Sequence, residues 1–292
     1  MNTEILITGA TGTIGSEICR QLSKLKIPFK AMSRSAKDAK PIAELEGAEI
    51  IIADFNDPES LKNALKGIRQ AFLLTSSSEK TEQLQLNFVA AAKKAGLEHL
   101  VKLSQLHADE NSPVRFLRYH AVVENAIKDA KINYTFLRPN LFMQGLLGFK
   151  DPIIYQSKFF ATVGNAKISL IDIRDIASVA VECLQGNTHY NKTYDLTGPE
   201  SLTHYEIADK FSDALSKKVE YVNVDDKQMV SALRSAGFPD WQADGLIEDY
   251  AHYARGEAEK VSNNVLEITG NEPRSFDSFL SEYLQKFKIS HS

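Results

Sequence analysis

A chain of 292 residues, 43% hydrophobic and 25% charged, is long enough for one enlarged α/β domain or for a domain carrying a smaller lobe. Its 34 Lys and Arg against 38 Asp and Glu leave a formal charge of -4, which with the lack of a long basic run speaks against a nucleic-acid partner; no apolar stretch reaches membrane-spanning length. Two cysteines, Cys19 and Cys183, lie in apolar helical patterns and read as core thiols rather than a disulfide or a metal site.

Glu4 to Thr8 is a short Ile- and Leu-rich run with the composition of a buried parallel strand, and it ends in Gly9, Gly12 and Gly15, spaced three apart. In that pattern Gly9 permits a sharp turn, Gly12 leaves the backbone bare for a pyrophosphate, and Gly15 lets the next helix pack closely. The helix is marked by Ile18, Cys19, Leu22 and Leu25, so its free amides and positive end point at whatever anion lies over the glycines. Strand, glycine turn and helix stand in the order of a dinucleotide site. With Met1 to Glu4 polar and the turn already begun at Thr8, no signal peptide is expected, and the expected location is cytoplasmic.

Ile27 to Ser33 reads as a second strand ending in Ser33-Arg34-Ser35. At the tip of the second strand an acidic residue would bond a free ribose 2′-hydroxyl and repel a 2′-phosphate. Here Arg34 can grip a phosphate in bidentate fashion and Ser33 can donate to it, which favours NADP over NAD. Ala48 to Asp54 gives the third strand, placing Asp54 beside the adenine with Phe55 able to border the base. Asp57 is the expected N-cap of a helix through Leu61, Ala64, Leu65 and Ile68, with Pro58 as its first residue. Ala71 to Leu74 is the fourth strand, ending in Thr75-Ser76-Ser77-Ser78, small residues that let a cofactor cross close to the backbone.

A long helix from Leu84 to Ala95 closes at Gly96, and His99 to Leu103 is the fifth strand, delivering Ser104 and Gln105 to the same edge. Regular alternation of strand and helix predicts parallel strands with right-handed crossovers and function beyond their carboxyl ends. After a polar loop over 107–113, a helix from Val114 carries Phe116, Leu117, His120, Val123, Glu124 and Ile127; His120 and Glu124, four apart, share a face and can pair. Asn133 to Pro139 is the sixth strand.

Alternation fails over 145–167, where Gly145, Gly148, Pro152 and Gly164 interrupt Phe149, Ile154, Tyr155, Phe159 and Phe160. These aromatics either line a substrate pocket or pack the lobe beneath one. Lys167 to Ile171 and Asn191 to Leu196 are further strands, Asp172 to Asp175 cap a helix over 176–184, and Glu206 stands at the capping-box position of a helix starting near Thr203. The remainder is largely helical. The expected organisation is α/β: a Rossmann-type doubly wound parallel sheet over 1–140 and a smaller, mostly helical substrate lobe over 141–292, from which 168–171 and 193–196 return to complete the main sheet.

ITGATGTIG at 7–15, SR at 33–34, DFNDPESL at 54–61, YHAVVENAIKDAKINYTFLRPNLFMQ at 119–144, IDIRDIA at 171–177 and YDLTGPESLTHYEIA at 194–208 together resemble the NmrA-like members of the atypical short-chain dehydrogenase/reductase superfamily, near the NAD(P)H-dependent quinone, azo-dye and triphenylmethane reductases. The resemblance implies that Gly9, Gly12, Thr13 and Ile14 hold the pyrophosphate, that Arg34 takes the 2′-phosphate, and that Thr75, Ser76 and Ser104 line the nicotinamide half; Thr11, within the same turn, is a further cofactor-binding candidate. It also implies a departure. Active members of the wider superfamily combine a Ser near the fifth strand with a YxxxK helix; Ser104 and Tyr119 are present, but Val123 stands where the Lys belongs, and no Lys shares that face until Lys128. A Tyr without a cationic neighbour keeps a pKa near 10 and is a poor acid-base catalyst at neutral pH. Hydride transfer to an electron-poor quinone or dye tolerates that loss, because alignment supplies much of the catalysis. The reading is therefore an NADPH-dependent reductase of quinone-like aromatics, acting as monomer or homodimer, with His120, Ser104 and Tyr119 as its catalytic candidates. An NADP(H)-sensing regulator and a carbonyl or enone reductase are the alternatives. His120 is expected to be oriented by Glu124, with a pKa near or above 6.5.

Overall fold

The computed structural model describes residues 4–288. Strands β1 (Ile5–Ile7), β2 (Phe29–Ser33), β3 (Ala48–Ile52), β4 (Gln70–Leu73), β5 (His99–Leu103) and β6 (Asn133–Pro139) are followed by two short strands that belong elsewhere, β7 (Lys158–Ala161) and β8 (Lys167–Ile168), and then by β9 (Lys192–Leu196). The main sheet has seven strands in the order β3-β2-β1-β4-β5-β6-β9, and the pairings among β1 to β6 are all parallel. This is the doubly wound Rossmann arrangement, and its order reverses between β1 and β4, which opens a crevice at their carboxyl ends.

Two compact units divide the chain. The first holds the residues up to Ser112, Leu117–Arg138 and Ile173–Asp195; the second holds Pro113–Phe116, Pro139–Asp172 and the described residues from Leu196 onward. The chain passes from the first unit to the second between Arg138 and Pro139, at the end of β6, and 173–195 return to the first unit. The two segments expected to rejoin the sheet behave differently: β9 takes the sheet edge, whereas β8 pairs antiparallel with β10 (Leu202–Thr203) in the second unit.

In the first unit, α1 (Thr13–Lys24), a one-turn α2 (Lys40–Ala43), α3 (Pro58–Ala64), α4 (Thr81–Ala95), α5 (Arg115–Asp129) and α6 (Ile173–Cys183) connect the strands. The short α2 was not foreseen, and α6 begins three residues before its predicted start. Asp57 caps α3 by accepting from the amides of Glu59 and Ser60, and α4 stops at Gly96 with φ +71°, as its sequence directs. One face of the sheet buries Leu6, Leu73, Leu100 and Phe136 against Leu61, Phe88, Val89 and Val123. The other is covered by α1 and α6, which pack on each other; α1 buries Ile14, Ile18, Cys19 and Leu22 there. Cys19 and Cys183 are free and buried, and burial pushes both thiols up to about 12, so they are inert core groups.

The second unit is organised on an aromatic core: Phe159, Phe211, Phe276, Phe279 and Phe287 are all buried. Phe159 lies 6.0 Å from Phe211 and 6.2 Å from Phe149, so these aromatics pack the lobe, while Tyr155 is 74% exposed. Its elements include α7 (His204–Leu215), whose N-terminus is held by the Thr203–Glu206 capping box, and β11 (Glu220–Asn223), which pairs in parallel with β7.

Candidate active site

The site begins where β1 ends. The Thr8 hydroxyl lies 3.0 Å from the carbonyls of Phe72 and Leu74 and accepts from the Leu74 amide at 2.9 Å, which ties the end of β1 to the end of β4. Gly9 then turns with φ +61°, where a Cβ would fall 2.9 Å from the Leu74 carbonyl oxygen. A Cβ on Gly15 would fall 2.2 Å from the Gly9 carbonyl oxygen, so α1 can approach the turn this closely only with glycine at that position. Gly12 is the N-cap of α1 and offers no side-chain cap, and the first turn carries no acidic residue. The leading amides of a twelve-residue helix therefore face outward for an anion.

Eight of the expected cofactor residues, Gly9, Thr11, Ser33, Arg34, Asp54, Phe55, Thr75 and Ser76, line one cleft of about 260 Å³ at the carboxyl edge of β1, β2, β3 and β4. Arg34 is exposed there and makes no hydrogen bond or ion pair with another described residue, leaving all its donors for a ligand. Thr75 accepts from the Gln85 side chain at 2.9 Å, so its own proton remains available to the cleft. Asp54 accepts from the Asn56 amide at 2.7 Å and from its side chain at 3.1 Å, which fixes the turn after β3. Phe55 rests 5.9 Å from Phe88 at the cleft wall. Thr13 is exposed at the start of α1, but the Ile14 side chain is buried in the core, so only its amide can serve an anion. The expected donation from Ser33 is corrected: its hydroxyl donates to the Ser35 carbonyl at 2.9 Å and shapes the loop that carries Arg34.

The catalytic candidates form a different arrangement from the expected one. Ser104 is buried, and its hydroxyl donates to Glu124 at 2.5 Å. Glu124 also accepts from Arg138 at 3.0 and 2.6 Å, so it does not orient His120. The partner of His120 is Lys102, whose Nζ lies 2.7 Å from Nδ1. Burial, with the positive charges of Lys102 and Arg138 beside it, pushes His120 well below its ordinary pKa, the reverse of the expected direction. The Tyr119 and His120 rings are 4.2 Å apart.

Lys102 is the residue that the sequence reading missed. It is fully buried on β5, donates to the Leu103 carbonyl at 3.0 Å, and is lowered by burial to about 7, with Glu124 raising and Arg138 lowering it. The signal was present: a lysine within the apolar run His99-Leu-Val-Lys-Leu103 of a strand expected to be covered on both faces, two residues from Ser104 and therefore on its face. Buried His99 has a structural position, with its ring nitrogens 3.1 Å from Gln70 and 2.8 Å from Thr135.

A parallel sheet of this order with a bare glycine turn and uncapped helix amides at its switch point defines a dinucleotide-binding protein of the Rossmann class. The residues fit the pyrophosphate of such a ligand, since the space beside Gly12 is one that a side chain would take. The chain belongs to the NmrA-like family, whose model matches residues 1–280. It is 34% identical to an NAD(P)H azoreductase of Xenophilus azovorans over 97% of this chain and 99% of the relative. Among solved structures it is similar to the NADPH-dependent quinone oxidoreductase of Escherichia coli complexed with NADPH, with a TM-score of 0.88 and 26% identity over 96% of this chain and 99% of the other. It is likewise similar to the Citrobacter sp. triphenylmethane reductase complexed with NADP(H), with a TM-score of 0.86 and 27% identity over 95% and 99%. Among the described residues no helix is long and apolar enough to cross a membrane.

Proposed function

We propose that this chain, an NAD(P)H-dependent oxidoreductase, takes NADPH in preference to NADH and reduces quinones or related electron-poor aromatics. The observation that carries the cofactor preference is Arg34, exposed at the tip of β2 in the cleft with its guanidinium uncommitted and flanked in sequence by Ser33 and Ser35 rather than by an acidic residue. The amides opening α1 would hold the pyrophosphate, Arg34 the 2′-phosphate, and Thr75 would donate its free proton to an acceptor atom near the nicotinamide half. NADPH supplies a hydride when bound. His120, Tyr119 and the buried groups behind them remain the candidates for handling charge on the acceptor. Relatives named as an azoreductase, a quinone oxidoreductase and a triphenylmethane reductase support an acceptor that takes a hydride at an electron-poor centre.

Purified protein mixed with NADPH or NADH and with menadione, benzoquinone, methyl red or malachite green tests the reading through loss of nucleotide absorbance. NADPH oxidation by at least one of these acceptors, faster than with NADH, is the expected result. Tight NADPH binding with no turnover on any acceptor would favour a sensor instead.

A further inference from the structure

The nucleotide cleft makes no use of the most unusual group in the first unit. Lys102 is 0% exposed, and its hydrogen bonds go to the Leu103 carbonyl and to His120 Nδ1. No carboxylate forms an ion pair with it among the described residues, because Glu124 is held by Ser104 and Arg138. An ammonium kept in a sheet core without a counter-ion is costly, and a leucine or methionine would plug the same space more favourably. Such a group needs a use that repays its burial.

When Lys102 is an ammonium it donates to Nδ1, 2.7 Å away, and a neutral His120 then carries its single ring proton on Nε2. No described residue forms a hydrogen bond with that second nitrogen. His120 is also the most exposed of the four buried polar groups, at 8% against 0% for Lys102, 2% for Glu124 and 3% for Ser104. The chain of N–H groups thus runs outward from the core, from Nζ through the imidazole.

We propose that Lys102 and His120 form a proton relay that completes reduction of an acceptor whose product needs a proton. The inference rests on the reductase reading above. A quinone that accepts a hydride becomes a hydroquinone anion. Its oxygen takes the Nε2 proton of His120 as Nδ1 takes a proton from the Lys102 ammonium. An O–H and an Nδ1–H bond form, an Nε2–H and an Nζ–H bond break, and Lys102 is left as a neutral amine. Two electrons arrive with the hydride and one proton arrives through the relay, which balances the hydroquinone. Solvent then reprotonates Nε2 while Nδ1 returns its proton to Lys102. Lys102 never touches the acceptor; it is a positioning and proton-supplying residue acting through His120. The charged groups facing it are Glu124 from α5, which favours the ammonium, and Arg138 from β6, which opposes it.

The chemistry of two acceptors separates this role from packing. Menadione needs both a hydride and a proton. Malachite green is a carbocation that a hydride alone converts to its neutral leuco form. In Lys102→Met the ratio of kcat for menadione to kcat for malachite green should fall tenfold or more. The wild-type menadione kcat should decline as pH rises through neutrality, and Lys102→Met should lose that decline. His120→Asn should show the same acceptor split, which keeps the test open should Lys102→Met fold poorly. Without nucleotide or turnover, ¹⁵N-imidazole NMR should show wild-type His120 as the Nε2–H tautomer, and Lys102→Met should shift it toward a mixture. Equal losses on both acceptors, or an unchanged ratio with an unchanged pH profile, would overturn the relay and leave the reductase reading standing. A wild type that oxidises NADPH with neither acceptor would overturn that reading, and the relay with it. With a wild type that takes menadione but not the dye, a decline in kcat with pH that survives Lys102→Met would likewise overturn the relay.

Discussion

Ser104 donates its hydroxyl to Glu124 at 2.5 Å, and that carboxylate, 2% exposed, also binds Arg138 through both oxygens at 3.0 and 2.6 Å. The triad joins the end of β5, the middle of α5 and the end of β6, so it sets the spacing of the elements that carry Lys102 and His120. Removing one partner of a buried charged pair leaves the other without compensation and costs about 3 kcal/mol. Glu124→Ala should therefore lower unfolding free energy by roughly that amount, with Glu124→Gln losing less because it keeps the shape and a neutral acceptor. Denaturant unfolding of both variants measures the effect; a loss below about 1 kcal/mol in Glu124→Ala would mean that the triad contributes little to the fold.

Arg34 should govern nucleotide choice. It is exposed in the cleft and uncommitted to other described residues, so Arg34→Ala removes donors without disturbing the core. A charge-assisted bidentate contact is stronger than a neutral hydrogen bond, and its loss should weaken NADPH binding by about 2 kcal/mol, on the order of 30-fold, while NADH affinity moves little. Titration of wild type and variant with both nucleotides checks this. Equal weakening for both would place the effect in the cleft's shape rather than at a 2′-phosphate.

Two glycines of the turn should fail in different ways. A Cβ on Gly15 would meet the backbone of Gly9 at 2.2 Å, a clash relieved only by moving α1 or the turn, so Gly15→Ala should lower thermal stability without any ligand. A Cβ on Gly12 would meet the Gly9 carbonyl oxygen at 3.3 Å, a far milder contact that asks for a shift of a few tenths of an ångström, but the branched side chain of Gly12→Val would extend into the phosphate space. Gly12→Val should keep a near-normal melting temperature yet lose the nucleotide-induced rise. A normal nucleotide shift in Gly12→Val would show that the phosphates bind elsewhere.

The contrast between these sites explains what the sequence could and could not disclose. The alternation of strand and helix, the glycine turn, the Asp57 cap, the Gly96 stop and the Thr203–Glu206 capping box follow from local patterns that each element satisfies by itself. The His120–Glu124 pairing was drawn from helical spacing alone. That spacing places both residues on one face of α5 but is silent about what the neighbouring strands offer. Arg138 from β6 and Ser104 from β5 compete for the carboxylate and win, and Lys102 from β5 takes the imidazole. The same limit applies to β8. Its apolar run suits a strand, but which partner it pairs with depends on β10, more than thirty residues away.

His204 sets the last test. It is 3% exposed, with its ring 5.9 Å from Phe159 and 5.1 Å from Tyr221, and its Nδ1 has no hydrogen-bond partner. Burial lowers its pKa to about 4. The folded ring is therefore neutral where an unfolded one, with a pKa near 6.5, begins to take up a proton. A depressed folded pKa contributes stability that is fully present above about 6.5 and is lost as pH falls toward 4, at most roughly 3 kcal/mol from this one group. Buried His99, also near 4, adds a second contribution of the same sign in the first unit. Replacing His204 by Phe removes both the unpaired nitrogen and the titration, at the cost of a slightly larger ring. Urea unfolding of the second unit, followed through its single tryptophan, Trp241, should show His204→Phe at least as stable as wild type at pH 7 and losing stability less steeply between pH 6.5 and 4. Identical slopes for the two proteins would mean that His204 does not contribute to the acid sensitivity of this unit.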